Sequence, residues 1–331
     1  MIQLLQQQRR RLLSSALLLS ALLVLSCGQK ERGRIVLSAP FGPLAYPFVY
    51  MVESAQNSPY DFVVWSNPDQ LRAMITGGQA DFFALPTNVA AIFHNKGADI
   101  SLVGVSVWSV LWMVSTDSTK TTLGDFRGEE ILMPFRGDMP HIVFSTVARQ
   151  QGLEPERDFR LRYVATPQDA VQQLLLGRAQ HAVLCEPDLS ILMYRMRAGN
   201  TGDGSVFYRV IDLQDEWRAV FDTGKSLPIG GVAAPGNVIG NAGRVRTFQK
   251  DYARAVTWCV EHPEETADLV ARFFEGVPRE PIVEAIRNVD QHYETAAEAR
   301  PALEAFYGVL MDSDPAMTGG KLPGDGFYRG E

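Results

Sequence analysis

Aromatic and polar side chains follow the predicted strands of this 331-residue chain, where they could bind a small ligand. Flat rings suit stacking against a planar ligand. Hydroxyl, amide and backbone N–H groups at helix starts suit an anion or another polar group. The pattern therefore predicts binding chemistry, and the candidate ligand-binding residues are Phe41, Tyr46, Trp65, Ser66, Thr87, Asn88, Arg136, Gly137, Asp138, His141 and Glu186.

Structural roles are the alternatives for several of these residues. Thr87 and Asp138 have the side chains of helix N-caps. Phe41 and Tyr46 could belong to a covered core, and Glu186 could pair with a surface arginine.

The sequence lacks the common signatures of catalysis and metal binding. It contains no HExxH, no paired CxxC, no GxSxG and no GxxxxGK[ST]. The five histidines are scattered without metal-ligand spacing. We therefore predict no catalytic residue, no bound metal and no cofactor, and expect that the chain is not an enzyme.

The elements that position these residues alternate between short apolar runs and helical patterns. Helix starts are marked by Asn67 and by Thr166, each followed by proline. This alternation predicts an α/β fold with mixed sheets flanked by helices, and ligands of open α/β sheets bind at the carboxyl ends of the strands. The predicted strands are 35–39, 62–65, 81–85, 100–107, 130–135, 160–165 and 181–185, and the clearer helices are 139–152 and 167–176.

Two α/β units of similar build predict two lobes with a central cleft. Lobe 1 is expected to comprise 35–120 plus about 225–331, and lobe 2 about 121–224. From residue 241 to about 307 the pattern is nearly all helical, with an apolar stripe that predicts packing on a lobe. The glycine-rich stretch 230–241 lacks GxGxxG, so we interpret it as a strand and loop near the hinge.

The first residues form a secretory signal pattern. Three arginines precede an apolar run of fifteen residues, 12–26, which is shorter than the roughly 20 residues of a membrane-spanning helix. The sequence VLSC resembles a bacterial lipobox, which predicts a signal peptide over 1–26, lipidation (palmitate) of Cys27 and a tether over 27–34. A plain cleaved signal with an incidental cysteine is the alternative.

Charge and cysteine content narrow the class of partner. Without the three signal arginines, 28 basic residues face 38 acidic ones, a formal charge of −10, which argues against nucleic-acid binding. Cys185 and Cys259 lie in apolar surroundings, which favours buried free thiols, although an exported protein could also join them.

Three stretches, 73–104, 123–153 and 166–187, carry a family resemblance. They resemble the substrate-binding lipoproteins of bacterial ABC importers, in the nitrate, sulfonate, taurine and thiamine-precursor group with the type II periplasmic-binding-protein fold. Phe126 and Arg127 stand where that group commonly has leucine and lysine, and the tail 319–328 is similar to tails in the group. The matching residues are Gly78, Asp81, Leu123, Asp125, Gly128, Gly177, Glu186 and Pro187.

The resemblance implies a monomeric receptor at the cell envelope. Its lipid would hold it at a membrane, facing the periplasm or the cell exterior. It would clamp a small molecule between two lobes and deliver it to a permease driven by an ATPase. Alternatives of other classes are a lipid-anchored sensor or hydrolase.

Two features point to different ligands. Helix N-termini favour an anion such as a sulfonate, taurine or nitrate. Asp138 and Glu186 favour an amine or a protonated heterocycle. We expect a heteroaromatic or amine-bearing nutrient, such as a pyrimidine precursor of thiamine, with the anions as the alternative.

Overall fold

The computed structural model of the chain describes residues 33–221 and 227–329. The predicted signal peptide and the predicted lipidation site Cys27 lie outside the described residues. The described residues form two β-sheets flanked by helices, so the expected fold class is confirmed. No helix in the described ranges has the length and apolarity to cross a membrane.

The larger sheet has six strands in the order β11-β4-β10-β3-β1-β2. Strands β1 and β3 are parallel, with Leu37 opposite Phe82, whereas β10 runs antiparallel to both β3 and β4. The strands are β1 (Ile35–Ala39), β2 (Tyr60–Val64), β3 (Phe82–Pro86), β4 (Ile100–Val107), β10 (Gly230–Pro235) and β11 (Glu294–Thr295).

The smaller sheet has five strands in the order β7-β6-β8-β5-β9. Strand β6 is parallel to β7 and β8, and β5 runs antiparallel to β8 and β9. The strands are β5 (Leu111–Ser115), β6 (Glu130–Pro134), β7 (Arg160–Val164), β8 (His181–Cys185) and β9 (Tyr208–Asp212).

Helices connect most of the strands. In chain order they are α1 (Tyr46–Glu53), α2 (Pro68–Thr76), α3 (Thr87–Asn95), α4 (Met139–Gln150), α5 (Pro155–Asp158), α6 (Pro167–Leu175), α7 (Asp188–Arg197), α8 (Leu213–Phe221), α9 (Gly236–Ile239), α10 (Ala242–Glu261), α11 (Pro263–Phe273), α12 (Arg279–Arg287) and α13 (Ala296–Ser313), with 3₁₀ turns at Leu123–Phe126 and Pro315–Thr318.

The chain passes between the sheets in two segments that lie side by side. Residues 108–110 join β4 to β5, and residues 227–229 lead into β10. The Ile229 N–H donates to the Val107 carbonyl at 3.0 Å. By strand pairing, β5 belongs to the five-stranded sheet, whereas the expected lobe bounds placed residues up to 120 in lobe 1. Those bounds otherwise stay a prediction.

The long helix α10 packs its apolar stripe against α1 and β3. The Phe248 ring stacks on Phe82 with centroids 3.7 Å apart, and Tyr252 lies 5.2 Å from Phe48. The stripe predicted from the sequence is buried along its whole length, at Val245, Phe248, Tyr252, Ala255, Val256 and Cys259.

The glycine-rich stretch at 230 is a central strand, as expected. A side chain at Gly231 would place its Cβ only 2.3 Å from the Gly104 carbonyl oxygen on β4. Glycine at this position therefore allows two strands to approach closely.

Candidate functional site

A cavity of about 390 Å³ lies between the carboxyl ends of strands from both sheets. This volume is within the range of small-molecule sites. The two crossing segments contribute to its wall through Val107, Val110 and Ile229. Its lining is mostly apolar and includes Pro40, Phe41, Gly42, Pro43, Leu44, Val64, Trp65, Ser66, Leu71, Arg72, Val89, Leu111, Phe135, Asp138, Met139, Gln168, Cys185, Glu186 and Asp188.

The six-stranded side supplies aromatic and apolar surface. Trp65 follows β2 directly and is 8% exposed, and its indole N–H donates to the Ala84 carbonyl at 3.2 Å. Phe41, in the loop after β1, makes an edge contact with Phe274 at 5.0 Å between ring centroids. These contacts fix the two rings, so this wall is preorganised.

The five-stranded side supplies the start of α4 and a strained residue before it. Asp138 is the N-cap residue of α4 by position, but its side chain makes no capping hydrogen bond. Burial raises the pKa of its carboxyl group. Phe135 has a φ of 54°, a left-handed conformation that is unusual for an aromatic residue. Such strain clusters at functional sites, and Phe135 lines the cavity.

Asp188 is a buried acid at the first position of α7. It is 4% exposed and lines the cavity. The Gln168 amide donates to its Oδ1 at 2.8 Å, while Oδ2 lies 4.0 Å from the Cys185 sulfur. Burial raises the pKa of Asp188 to about 7, because the charged form loses its hydration. Asp188 can therefore exchange a proton near neutral pH.

Glu186, by contrast, is a buried carboxylate whose charge is compensated. The Arg209 guanidinium lies 2.7 Å from Oε1, and the Ser190 N–H donates to Oε2 at 3.0 Å. Arg209 also bonds Glu284 on α12 at 2.8 Å. The alternative expected for Glu186, pairing with an arginine, is confirmed, although Arg209 is largely buried.

Five of the eleven candidate residues line this cavity, and three others line a neighbouring one. That second cavity, of about 610 Å³, contains Asn88, Gly137 and His141 in its wall and shares Arg72, Val89 and Asp138 with the first. Burial lowers the pKa of His141, whose Nε2 lies 3.0 Å from the Tyr163 hydroxyl. The five at the first cavity are Phe41, Trp65, Ser66, Asp138 and Glu186. A role of these eight in binding stays a prediction.

The remaining three candidates line neither cavity. Tyr46 is fully buried, and its hydroxyl has no hydrogen-bond partner within 33–221 and 227–329. Thr87 donates to the Pro228 carbonyl at 2.6 Å, so its hydroxyl ties α3 to a crossing segment. Arg136 stacks over the Tyr163 ring at 4.9 Å.

The sequence also left several cavity residues unpredicted. Asp188 belongs to the segment Glu186-Pro187-Asp188 after a predicted strand, which the sequence places at the cleft, but it is not among the eleven candidate residues. No sequence pattern marks Phe135 or Gln168 as a cavity residue. Phe135 is recognised only from its backbone geometry, and Gln168 only from the position of α6 across from α7.

Potential metal ligands and two cysteines lie in the described part of the chain. There, no group of three His, Cys, Asp or Glu side chains could hold a metal ion. Cys185 and Cys259 are free thiols. Burial raises the pKa of both thiols, so they lack the character of reactive cysteines.

Solved structures share this architecture. An ABC transporter protein from Parabacteroides distasonis is 24% identical, with a TM-score of 0.73 over 90% of this chain and 99% of that one. The aliphatic sulphonate binding protein SsuA from Escherichia coli is 16% identical (TM-score 0.64, 86% and 88%). The nitrate-binding protein NrtA from Synechocystis PCC 6803 is 15% identical (TM-score 0.60, 86% and 81%). The fold is thus that of periplasmic binding proteins.

The sequence also defines a family. A family model described as menaquinone biosynthesis matches residues 40–312, most of the chain. The chain belongs to this menaquinone biosynthesis family. No curated protein matches it.

Proposed function

We propose that the chain is the solute-binding component of an ABC importer, which captures a small nutrient between two lobes. The observation that carries this proposal is the cavity at the carboxyl ends of strands of both sheets. A ligand there would contact both halves at once, which favours the closed form. The solute-binding proteins with this fold add support.

The partners and location belong to the same proposal. A receptor of this kind delivers its ligand to a permease and an ATPase and works outside the cytoplasm as a monomer. Lipid on Cys27 would keep it beside the permease and raise its local concentration there.

The composition of the cavity wall favours a heteroaromatic or amine-bearing ligand. Most lining side chains are apolar, and the wall contains three acidic residues: Asp138, Glu186 and Asp188. Among the described lining residues, Arg72 is the only basic one, and it already bonds Asp69 at 2.9 Å. This balance disfavours sulfonate, taurine or nitrate, since an anion would lack a free cationic partner.

The family match favours one second candidate, an enzyme of menaquinone biosynthesis. In that case Asp188, with a pKa near neutrality, could act as a general acid or base. The two candidates differ in one observable: a receptor returns its ligand unchanged, whereas an enzyme converts it.

A cavity-blocking variant tests the receptor proposal. Val64 lines the cavity, while the preceding residue on β2, Val63, is 42% exposed, since successive strand residues point to opposite faces. We expect Val64→Trp to weaken binding of the aminopyrimidine precursor of thiamine by at least about tenfold, because it fills the site. The matched control Val63→Trp should change the Kd by less than about twofold. Isothermal calorimetry measures both.

Recovery of the bound compound completes this test. Mass spectrometry should return it unchanged after prolonged incubation, and conversion would favour the enzyme instead. Stabilisation of the protein only by taurine, alkanesulfonates or nitrate in a thermal-shift panel would contradict the proposed ligand class.

A further inference from the structure

We propose that Asp188 is the specificity-determining residue of the cavity, and that its carboxylate holds the ammonium group of an amine whose alkyl chain carries an aromatic or heteroaromatic ring. The ring would lie against the apolar wall. This inference rests on the proposed function in one respect, that the cavity is a ligand site, and it names the residue and the charge state that select the ligand.

The hydrogen bonds of the Asp188 carboxyl group leave room for a further donor. Its Oδ1 accepts from the Gln168 amide at 2.8 Å, and the backbone N–H of the same residue also bonds the carboxyl group. Oδ2 lies 4.0 Å from the thiol of Cys185, a weak donor at long range. In the described ranges no basic side chain forms an ion pair with Asp188. A buried carboxyl group in this condition favours an added hydrogen-bond donor, and a cationic donor makes the strongest bond.

The surroundings of Asp188 supply no compensating charge. Glu186 lies two residues before it, and the Tyr46 hydroxyl and the Cys185 thiol are neutral groups whose own pKa values are raised by burial and by the neighbouring carboxyl groups. The nearby cation, Arg209, is engaged by Glu186 and Glu284. The N-terminus of α7 offers only a partial positive charge to Asp188.

The other two carboxyl groups of the wall fit this role less well. Glu186 already has an arginine and a backbone N–H on its two oxygens. Burial raises the pKa of the Asp138 carboxyl group, but the positive charge of Arg72 opposes this shift and favours the ionised form without any added ligand. Among the three acidic residues of the wall, Asp188 is therefore the one on which no cationic side chain in the described part of the chain acts.

A proton-linked affinity follows from this assignment. An alkyl ammonium stays protonated below pH 8, as the lysine reference value shows. The carboxyl group of Asp188, with a pKa of about 7, must ionise before it can pair with the ammonium group. Affinity for an amine should therefore rise with pH up to neutrality and then level off.

Three compounds of nearly equal size test the proposal: phenethylamine, 2-phenylethanol and phenylacetate. We expect phenethylamine to bind tightest at pH 8, and its affinity to fall by about tenfold per pH unit well below pH 7, because one proton competes with it. The affinity of 2-phenylethanol should change by less than about threefold between pH 5.5 and 8, since it carries no charge. Calorimetry or ligand-observed NMR gives the Kd values.

Three variants assign the effect to one residue. Asp188→Asn should weaken phenethylamine at pH 8 by at least about tenfold, abolish its pH dependence and leave 2-phenylethanol within about threefold. Asp138→Asn tests the rival acid of the wall, and Asp312→Asn, at an exposed position outside both cavities, is the control that should keep the affinity and the pH dependence of the parent chain. The pH profile of the unmutated protein remains decisive even if a variant does not fold.

Several outcomes would overturn the assignment. It is wrong if phenylacetate binds tighter than phenethylamine, or if Asp138→Asn, rather than Asp188→Asn, removes the pH dependence. Binding of 2-phenylethanol that Val64→Trp abolishes, without preference for the amine, would contradict the role of Asp188 but keep the cavity as a ligand site. If none of the three compounds binds, the assignment of Asp188 is wrong, while the proposed function is decided separately by binding of the aminopyrimidine precursor and its loss in Val64→Trp.

Discussion

At the scale of single residues, the cavity holds two acids in the same loop with opposite environments. Glu186 is buried with Arg209 and the Ser190 N–H as partners. Asp188 is equally buried but has one amide donor, its own backbone N–H and a distant thiol. Burial without a cation favours the neutral form, which raises the pKa of Asp188 to about 7.

This difference predicts how Asp188 affects folding stability. Between pH 4 and 7 the folded chain keeps a proton on Asp188 that the unfolded chain releases, so the free energy of unfolding falls as the pH rises through this range. Asp188→Asn removes this fall in the free energy of unfolding, because asparagine does not ionise. Its side-chain oxygen can still accept the hydrogen bond from the Gln168 amide. We expect the variant to be more stable than the parent by on the order of 3 kcal/mol at pH 8 and equal to it near pH 4.

Urea unfolding at both pH values measures this difference. Asp312→Asn, at an exposed position near the end of α13, serves as control and should show the same small effect at both. A variant at position 188 that is less stable than the parent at pH 8 would contradict the view that a buried, uncompensated charge is present there.

At the scale of elements, local patterns predicted most strands and helices closely. The Asn67 side chain accepts from the Gln70 N–H at the start of α2, and Thr166 and Asp169 form a complete capping box on α6. Both signals lie within four residues of the chain, which is why sequence reasoning could find them.

Roles that depend on distant residues were not predictable in this way. Thr87 stands before a helical stretch like a capping residue, yet its hydroxyl donates to Pro228, 141 residues away. Tyr46 follows a strand as a ligand-stacking ring would, but it begins α1 and is fully buried in a cluster with residues of α10, α11 and α12. In both cases the local sequence allowed two roles, and contacts with residues far away in the sequence determined which one the side chain has.

The cap of α6 matters for the site because the next two residues, Pro167 and Gln168, line the cavity. We expect Thr166→Ala to lower the free energy of unfolding by about 1 kcal/mol, since a backbone N–H loses its acceptor. Thr76→Ala is a suitable control. Its exposed hydroxyl bonds the carbonyl four residues earlier in α2, and alanine there should change stability by less than about 0.5 kcal/mol.

Denaturant unfolding monitored by circular dichroism compares the two threonine variants. Equal destabilisation by both would mean that the capping box adds nothing beyond ordinary helix propensity. A larger loss at 166 would support the view that the cap also fixes the position of Gln168.

At the scale of the whole molecule, a chain of charges joins elements that are far apart in sequence. Arg209 on β9 bonds Glu186 after β8 and Glu284 on α12, and Arg197 on α7 also bonds Glu284 at 2.5 Å. Helix α12 packs on α11, which packs on α1 beside the six-stranded sheet. The charges therefore connect the five-stranded sheet to the helices of the other half, directly behind the cavity.

The sequence indicated two similar α/β units but not this connection. Position 209 is 23 residues from Glu186, and position 284 is 75 residues further on. No local spacing marks such a partner, because the pairing depends on how strand β9 and helix α12 come together in the folded chain. The general architecture was thus accessible from the sequence, while the contacts that tie its halves together were not.

The members of this chain of charges are buried to different extents. We therefore expect substitutions of them to lower the free energy of unfolding by different amounts. The Glu186 side chain is 0% exposed, and those of Arg209 and Glu284 are 19% and 24% exposed. We expect Arg209→Met to lower the free energy of unfolding by about 3–5 kcal/mol, because it leaves the carboxylate of Glu186 buried without a partner. Glu284→Gln should lower it by about 1 kcal/mol or less, since Arg209 keeps Glu186 and the partly exposed pair is screened by solvent.

Urea unfolding of both variants tests this order, with Arg254→Met as control. Arg254 pairs with Asp251 on the surface of α10 at 66% exposure, so its loss should change stability by less than about 0.5 kcal/mol. Arg209→Met could lower the free energy of unfolding no more than Arg254→Met does. That result would mean that water reaches the Glu186 carboxylate, or that separating the two halves does not change the free energy. In that case the ion pairs to Glu284 do not hold the halves together, and closure around the cavity depends on the ligand alone.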